Sequence, residues 1–292
     1  MNTVLLLAGR NLRLFFRDRA GVFFSMLGPV ILLGLYVLFL GRLQADQLAA
    51  TFPEADDGDI TVFVTAWVFA GVTMIATLTT GLSAISVFVE DRASGRFGDF
   101  LVSPLSRGQI VLGYLLSCFV IAFALSILIV VIGVVTIMVL GGPFIGGAQL
   151  AALVGYVALS AAAFAALSAF AAAYLRTTGA FAAFSTVVGT VLGFLAGAYI
   201  APGVLPTAVL NFINALPFAQ SAMLLRQPYV DLPLDRLTDG NAAAADAIDA
   251  FYGMTLTVGD LEISNALALG ELALVLVLFT VLAAWRMGRA IR

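Results

Sequence analysis

Ionisable residues are so sparse in the apolar parts of this sequence that those with chemical potential can be taken one at a time. Glu271 comes first, because the fourteen uncharged residues from Leu272 to Trp285 make only about 21 Å of helix at 1.5 Å per residue, too short to cross a bilayer. The span must begin near Ala266 and carry Glu271 inside it. A carboxylate there snorkels to the interface, takes a structural hydrogen bond, or serves transport, and the first two are the simpler readings. Acidic residues also cluster at Asp46, Glu54, Asp56, Asp57 and Asp59, and again from Asp231 to Glu262. Neither cluster has the spacing of a calcium loop, so a solvated acidic face is expected. Histidine is absent and Cys118 is the single cysteine, which excludes a structural zinc site, a Cys/His nucleophile pair and an internal disulfide. Cys118 is expected to be a small packing residue. All fourteen basic residues are arginine, and without lysine there is no Walker A motif, so the chain cannot be a self-sufficient P-loop ATPase.

The elements that hold these residues must sit in lipid. Of 292 residues 62% are hydrophobic and 11% charged, against about 25% charged in a soluble domain. Apolar runs cover about 20–41, 60–89, 109–140, 148–175, 179–200 and 266–286, each long enough to span, and predict an all-α polytopic membrane protein with six transmembrane helices. Gly28-Pro29 should kink the first. Four arginines (Arg10, Arg13, Arg17, Arg19) precede it, which argues against a cleavable signal peptide and for a retained N-terminus. Eleven arginines fall in the N-terminal segment, in 90–108, in the 175–178 turn and in the C-terminal tail; only Arg42, Arg226 and Arg236 fall in the alternate segments. The positive-inside rule then makes both termini cytoplasmic.

Residues 1–19 contain a candidate amphipathic helix, with Arg10, Arg13 and Arg17 on one stripe and Leu5, Leu12, Phe15 and Phe16 opposite. Such a helix lies flat on the membrane surface, or simply anchors the first span. In 90–108 the chain reads EDRASGRFGDFLVSPLSRG, where Phe97, Phe100 and Leu101 can form a short apolar edge before Ser103-Pro104 ends the turn. Taken alone this is an ordinary cytoplasmic hairpin. In the external segment 201–265, LPTAVLNFINALPFAQSAMLLR is broken at Pro206 and Pro217 into pieces of about 10 residues, too short to cross. In the fifth span Gly189, Gly193 and Gly197 recur every four residues, which suits close helix packing.

With these segments in order, the chain resembles the permeases of ABC-2 type ABC exporters. Glu90, Arg92, Gly95, Leu101, Ser103, Pro104, Ser106 and Arg107 stand at the places of the family's coupling segment, with Phe97-Gly98 where Gly-Thr is more usual. Pro217 and Arg226 stand at the places of its re-entrant external "P…R" pattern. The resemblance implies that 90–108 docks on a separate ATPase subunit, that ATP and magnesium bind on that partner with no cofactor on this chain, and that a second permease copy or a paralogue completes the path. No nucleic acid is expected as a partner; membrane lipid is. It further implies that the first, second and fifth spans line the path, with Phe23, Phe24, Trp67, Phe69, Phe184, Phe194 and the Gly189 stripe as candidates. Those walls lack charge, so an amphipathic or hydrophobic cargo such as a drug, antibiotic or lipid is expected to leave across the plasma membrane. A polysaccharide exporter stays open, as does an ion-coupled carrier. A membrane-embedded hydrolase is disfavoured by the missing histidine.

Overall fold

The computed structural model describes residues 3–53, 55–102 and 105–291, excepting the side chains of Asp99 and Leu101. Ser103 and Pro104 of the expected coupling segment, Glu54 and Arg292 lie outside the described residues. The chain is an all-α multi-pass membrane protein. Among the described residues six helices are long and apolar enough to cross a bilayer, in which every backbone group must be paired within its own helix.

Helix α1 (Thr3–Arg17) precedes the first span, which is built from α2 (Arg19–Leu35), a wide π turn (Tyr36–Leu40) and α3 (Gly41–Thr51). Asp18 starts α2 by accepting from the Gly21 amide at 3.0 Å. The run was expected to stop near 41, yet the helix continues to Thr51 and takes Arg42 and Asp46 with it. At the π turn the ladder widens without breaking: the Gly41 amide donates to Tyr36 O, and a Cβ at Gly41 would lie 2.6 Å from that oxygen. The departure from α geometry is therefore at Tyr36–Leu40, beyond Pro29, which stays inside α2.

The second span, α4 (Asp57–Ala84) followed after Ile85 by α5 (Ser86–Ala93), is the centre of the bundle. Its most apolar stretch is 89% buried, against 22% for the first span and 17% for the fifth. It packs on α7 (Arg107–Val139), α8 (Gly147–Ala172) and α11 (Pro217–Leu237). Small residues allow this closeness: a Cβ at Gly133 of α7 would sit 2.8 Å from the Phe69 ring. Alanines along one side of α8, among them Ala161, Ala165, Ala169 and Ala172, are buried. Between α5 and α7 lies the short α6 (Phe97–Leu101), and α7 opens on a capping box between Ser106 and Gln109.

The fifth span, α9 (Thr178–Leu195), ends earlier than the expected 200, because Gly197 adopts φ +58° and turns the chain away. Beyond it α10 (Thr207–Asn214) and α11 are bent by 84°. Pro206 caps α10 and Pro217 opens α11, as their fixed φ suits. The second piece is longer than expected: α11 runs 21 residues, through Pro228 and Pro233. Helix α12 (Ala242–Tyr252) and an antiparallel hairpin, β1 (Leu256–Val258) with β2 (Leu261–Ile263), complete this end before the last span, α13 (Asn265–Ala290).

Candidate functional site

At one end of the bundle α1, α5, α6 and α7 meet around a single carboxylate. Asp91 is 0% exposed. It accepts from Arg10 Nη1 at 2.6 Å and Nη2 at 2.9 Å, from Arg96 Nη1 at 3.1 Å, and from the Tyr114 hydroxyl at 2.5 Å. A buried carboxylate is tolerable only with such charged donors, and the two-pronged Arg10 fork also fixes orientation. The bond to Asp91 raises the pKa of Arg10 against the opposing effect of burial. Helix α1 thus presents three faces where the sequence suggested two. Leu7, Ala8, Asn11 and Phe15 are buried, Arg10 reaches Asp91, and Leu5, Leu6 and Phe16 are exposed, as suits a membrane surface. Contact with α7 is close: a Cβ at Gly113 would lie 2.7 Å from Leu7 Cβ, and Asn11 Nδ2 donates to Ser117 Oγ at 3.3 Å.

The expected coupling residues divide around this clasp. Phe97 is buried among Phe88, Phe100 and Tyr114 and anchors α6 instead of presenting an edge. Phe100 is half-buried, with the Arg10 guanidinium 5.3 Å from its ring centroid. Among the described side chains of this segment the apolar group held outward is Val102, 89% exposed, which the sequence did not single out. Gly95 turns the chain at φ +75°, and Arg107 stands exposed in the first turn of α7. Arg92 points back into the bundle, donating to Ala173 O at 3.0 Å and Leu175 O at 3.3 Å, the carbonyls left free where α8 ends. Glu90 was expected beside these groups in the docking segment, but it lines a cleft on another face.

That cleft, of about 440 Å³, opens between α2, α4–α5 and α9. The expected path residues sort by their relation to it. Phe24, 65% exposed, and Gly189 line it; Phe23, 60% exposed, is not among the lining residues and meets the Phe24 ring edge-on at 5.7 Å. Phe184 is half-buried on α9, and Phe194 packs edge-on against Tyr199 with centroids 5.0 Å apart. Trp67 is a correction: it is 1% exposed and donates from Nε1 to Tyr252 O at 2.8 Å, so it braces the bundle. Phe69 is likewise buried against Gly133. Among the described residues of this chain the glycine stripe seats no neighbouring helix. Gly189 has open space around it, Gly193 is covered by the Tyr199 ring, and Gly197 ends the helix. Nor are the walls featureless: hydroxyls from Ser25, Thr79, Ser83, Ser86, Ser185 and Thr186 join Glu90 there.

At the opposite end Arg226 of α11 is 1% exposed, with no carboxylate paired to it among the described residues. Its Nη2 donates to Ala196 O at 2.9 Å and Gly197 O at 2.8 Å, its Nη1 to Gly253 O at 3.1 Å, and its Cζ lies 5.4 Å from the Trp67 ring centroid. These carbonyls end α9 and α12, where two helix dipoles leave partial negative charge. Arg226 therefore caps two helices at once. Glu271 sits half-buried early in α13 beside Gln220 and does not line the cleft. Among the described residues no group of acidic or cysteine side chains could hold a metal ion.

Residues 2–228 match the model of a family described as ABC-2 type transporter, a stretch that takes in α1, the Asp91 clasp, the cleft and Arg226. No curated protein matches the chain.

Proposed function

Because the chain belongs to the ABC-2 type transporter family, we propose that it is the permease subunit of an ATP-driven exporter, moving an amphipathic compound out across the plasma membrane. ATP and magnesium would bind on separate ATPase subunits docked at the α5–α6 end, and a second permease, identical or related, would close the path. Both termini would be cytoplasmic, with α10–α12 on the outer side. The observation that carries this reading is the Asp91 clasp. Two arginines and a tyrosine tie α1, α6 and α7 to one buried carboxylate, so a push on exposed Val102 is delivered to three helices as one body.

The hydroxyl-bearing cleft is also what a polysaccharide exporter would present. Phe24, exposed among the lining residues, favours a single amphipathic molecule, whose apolar part would lie along it.

The test is affinity purification of the chain from gently solubilised native membranes. A stoichiometric P-loop ATPase is expected with the wild type, and Val102→Asp should lower its recovery about tenfold while leaving the permease folded, since burying a new charge at a docking surface costs more than 1.4 kcal/mol. Repeated absence of any such ATPase would overturn the reading in favour of an ion-coupled carrier and make Glu271 the next residue to test.

A further inference from the structure

We propose that the cleft between α2, α4–α5 and α9 receives the head group of an amphipathic organic cation, with Glu90 as its counter-charge. The inference rests on the exporter reading for its biological sense, but its evidence is local. Ser25 donates its proton to Val22 O at 2.7 Å, Thr79 to Ile75 O at 2.9 Å and Thr186 to Ala182 O at 3.0 Å. Each hydroxyl has spent its one donor on its own helix, leaving oxygen lone pairs as the hydrogen-bonding capacity it can offer the cleft. Ser185 Oγ is shielded from solvent with no partner at all, which is costly unless something in the cleft satisfies it. The Glu90 carboxylate adds a further acceptor and a full negative charge. Ser83, Ser86 and Thr178 make no such bond among the described residues and can donate, so it is the carboxylate beside these lone pairs that favours a ligand bringing donors and positive charge together, as an ammonium-type group does.

The arginines nearest Glu90 in sequence are engaged elsewhere, and Arg176, exposed two residues before Thr178 of the lining, does not itself line the cleft. Arg10 and Arg96 are held by Asp91, Arg92 is held by carbonyls of the α8 end, and no arginine lines the cleft. Among the described residues Glu90 has no ion-pair partner. Phe24, Leu82 and Phe181 supply the apolar side against which the body of the ligand would rest. Anionic lipids and anionic drugs find no counter-charge here.

The experiment uses the full-length permease in detergent, without ATP or ATPase, and reads fluorescence anisotropy of rhodamine 6G, an amphipathic cation with N–H donors, against uncharged Nile red. Glu90→Gln is expected to weaken rhodamine 6G binding about tenfold and to change Nile red binding by less than about twofold. Glu90→Asp should recover part of the loss. Gly189→Leu, placed where a side chain meets open space, should fill the cleft and weaken both dyes. Unchanged rhodamine 6G affinity in Glu90→Gln, or competition by maltoheptaose as strong as by a primary alkylamine, would overturn the cation assignment and favour a neutral hydroxylated cargo. Dye binding indifferent to Gly189→Leu would overturn the cleft itself as the site. Any of these failures leaves the exporter reading standing, and the absence of a copurifying ATPase leaves this inference standing.

Discussion

Two charges are buried at opposite ends of the bundle, and they are accommodated in different ways. Asp91 is met by the opposite charges of Arg10 and Arg96, side chains carried on α1 and on the turn into α6. Arg226 is met by backbone carbonyls at the ends of α9 and α12 and by the face of Trp67. An ion pair between separate elements can be remade in a second arrangement, whereas carbonyls fixed by helix ends cannot move without unwinding those ends. The first is suited to transmitting displacement and the second to fixing a backbone. Gly197 and Gly253 show how firmly: both have positive φ, and a Cβ at Gly253 would lie 2.6 Å from Arg226 Nη1.

The largest effect is expected at Arg226. Replacement by alanine should lower stability by about 3 kcal/mol or more, since it strands buried carbonyls and opens a cavity. Arg226→Lys should recover less than half of that, a single ammonium being unable to reach two helix ends at once. Equilibrium unfolding in mixed micelles checks both, and full rescue by lysine would erase the distinction between cap and ion pair. A smaller effect is expected at the clasp. A double-mutant cycle of Arg10→Ala and Asp91→Asn should give a coupling of about 2 kcal/mol in stability, and each single variant should reduce cargo-stimulated ATP hydrolysis in the assembled complex. Strict additivity would mean that α1 is not held through Asp91.

The smallest effect concerns Asp249 on α12, a half-buried acid at the Arg226 end. Burial, with Asp246 and Asp235 nearby, raises its pKa from 3.8 to about 6. The folded state then holds a proton that the unfolded state has released, so stability should fall as pH rises between about 4 and 6. Asp249→Asn should flatten that part of the profile. An unchanged slope would show that this end tolerates an unpaired acid without cost, sharpening its contrast with the fully paired Asp91.

The spans were legible because lipid imposes length and apolarity on any crossing helix, and α7, uncharged from Gly108 to Val139, could hardly be read otherwise. Caps such as Asp18 and Ser106 carry equally local signals. Which face of a span turns inward was not legible. The α4 helix is apolar all round, so periodicity could not separate buried Trp67 and Phe69 from lining residues. Proline breaks suggested two short pieces where α11 in fact continues, because neighbouring helices support a proline that an isolated helix would not tolerate.

Glu90 and Asp91 put the division most sharply. Their types and neighbours in sequence mark a charged segment at the membrane edge, which composition and periodicity determine without any structure. That the first opens into a cleft and the second is sealed under Arg10, 81 residues away, depends on the rotational phase of α5 after the break at Ile85. Adjacent residues on a helix point about 100° apart, and only the packing of α1 and α7 against α5 decides which of the two meets the arginines.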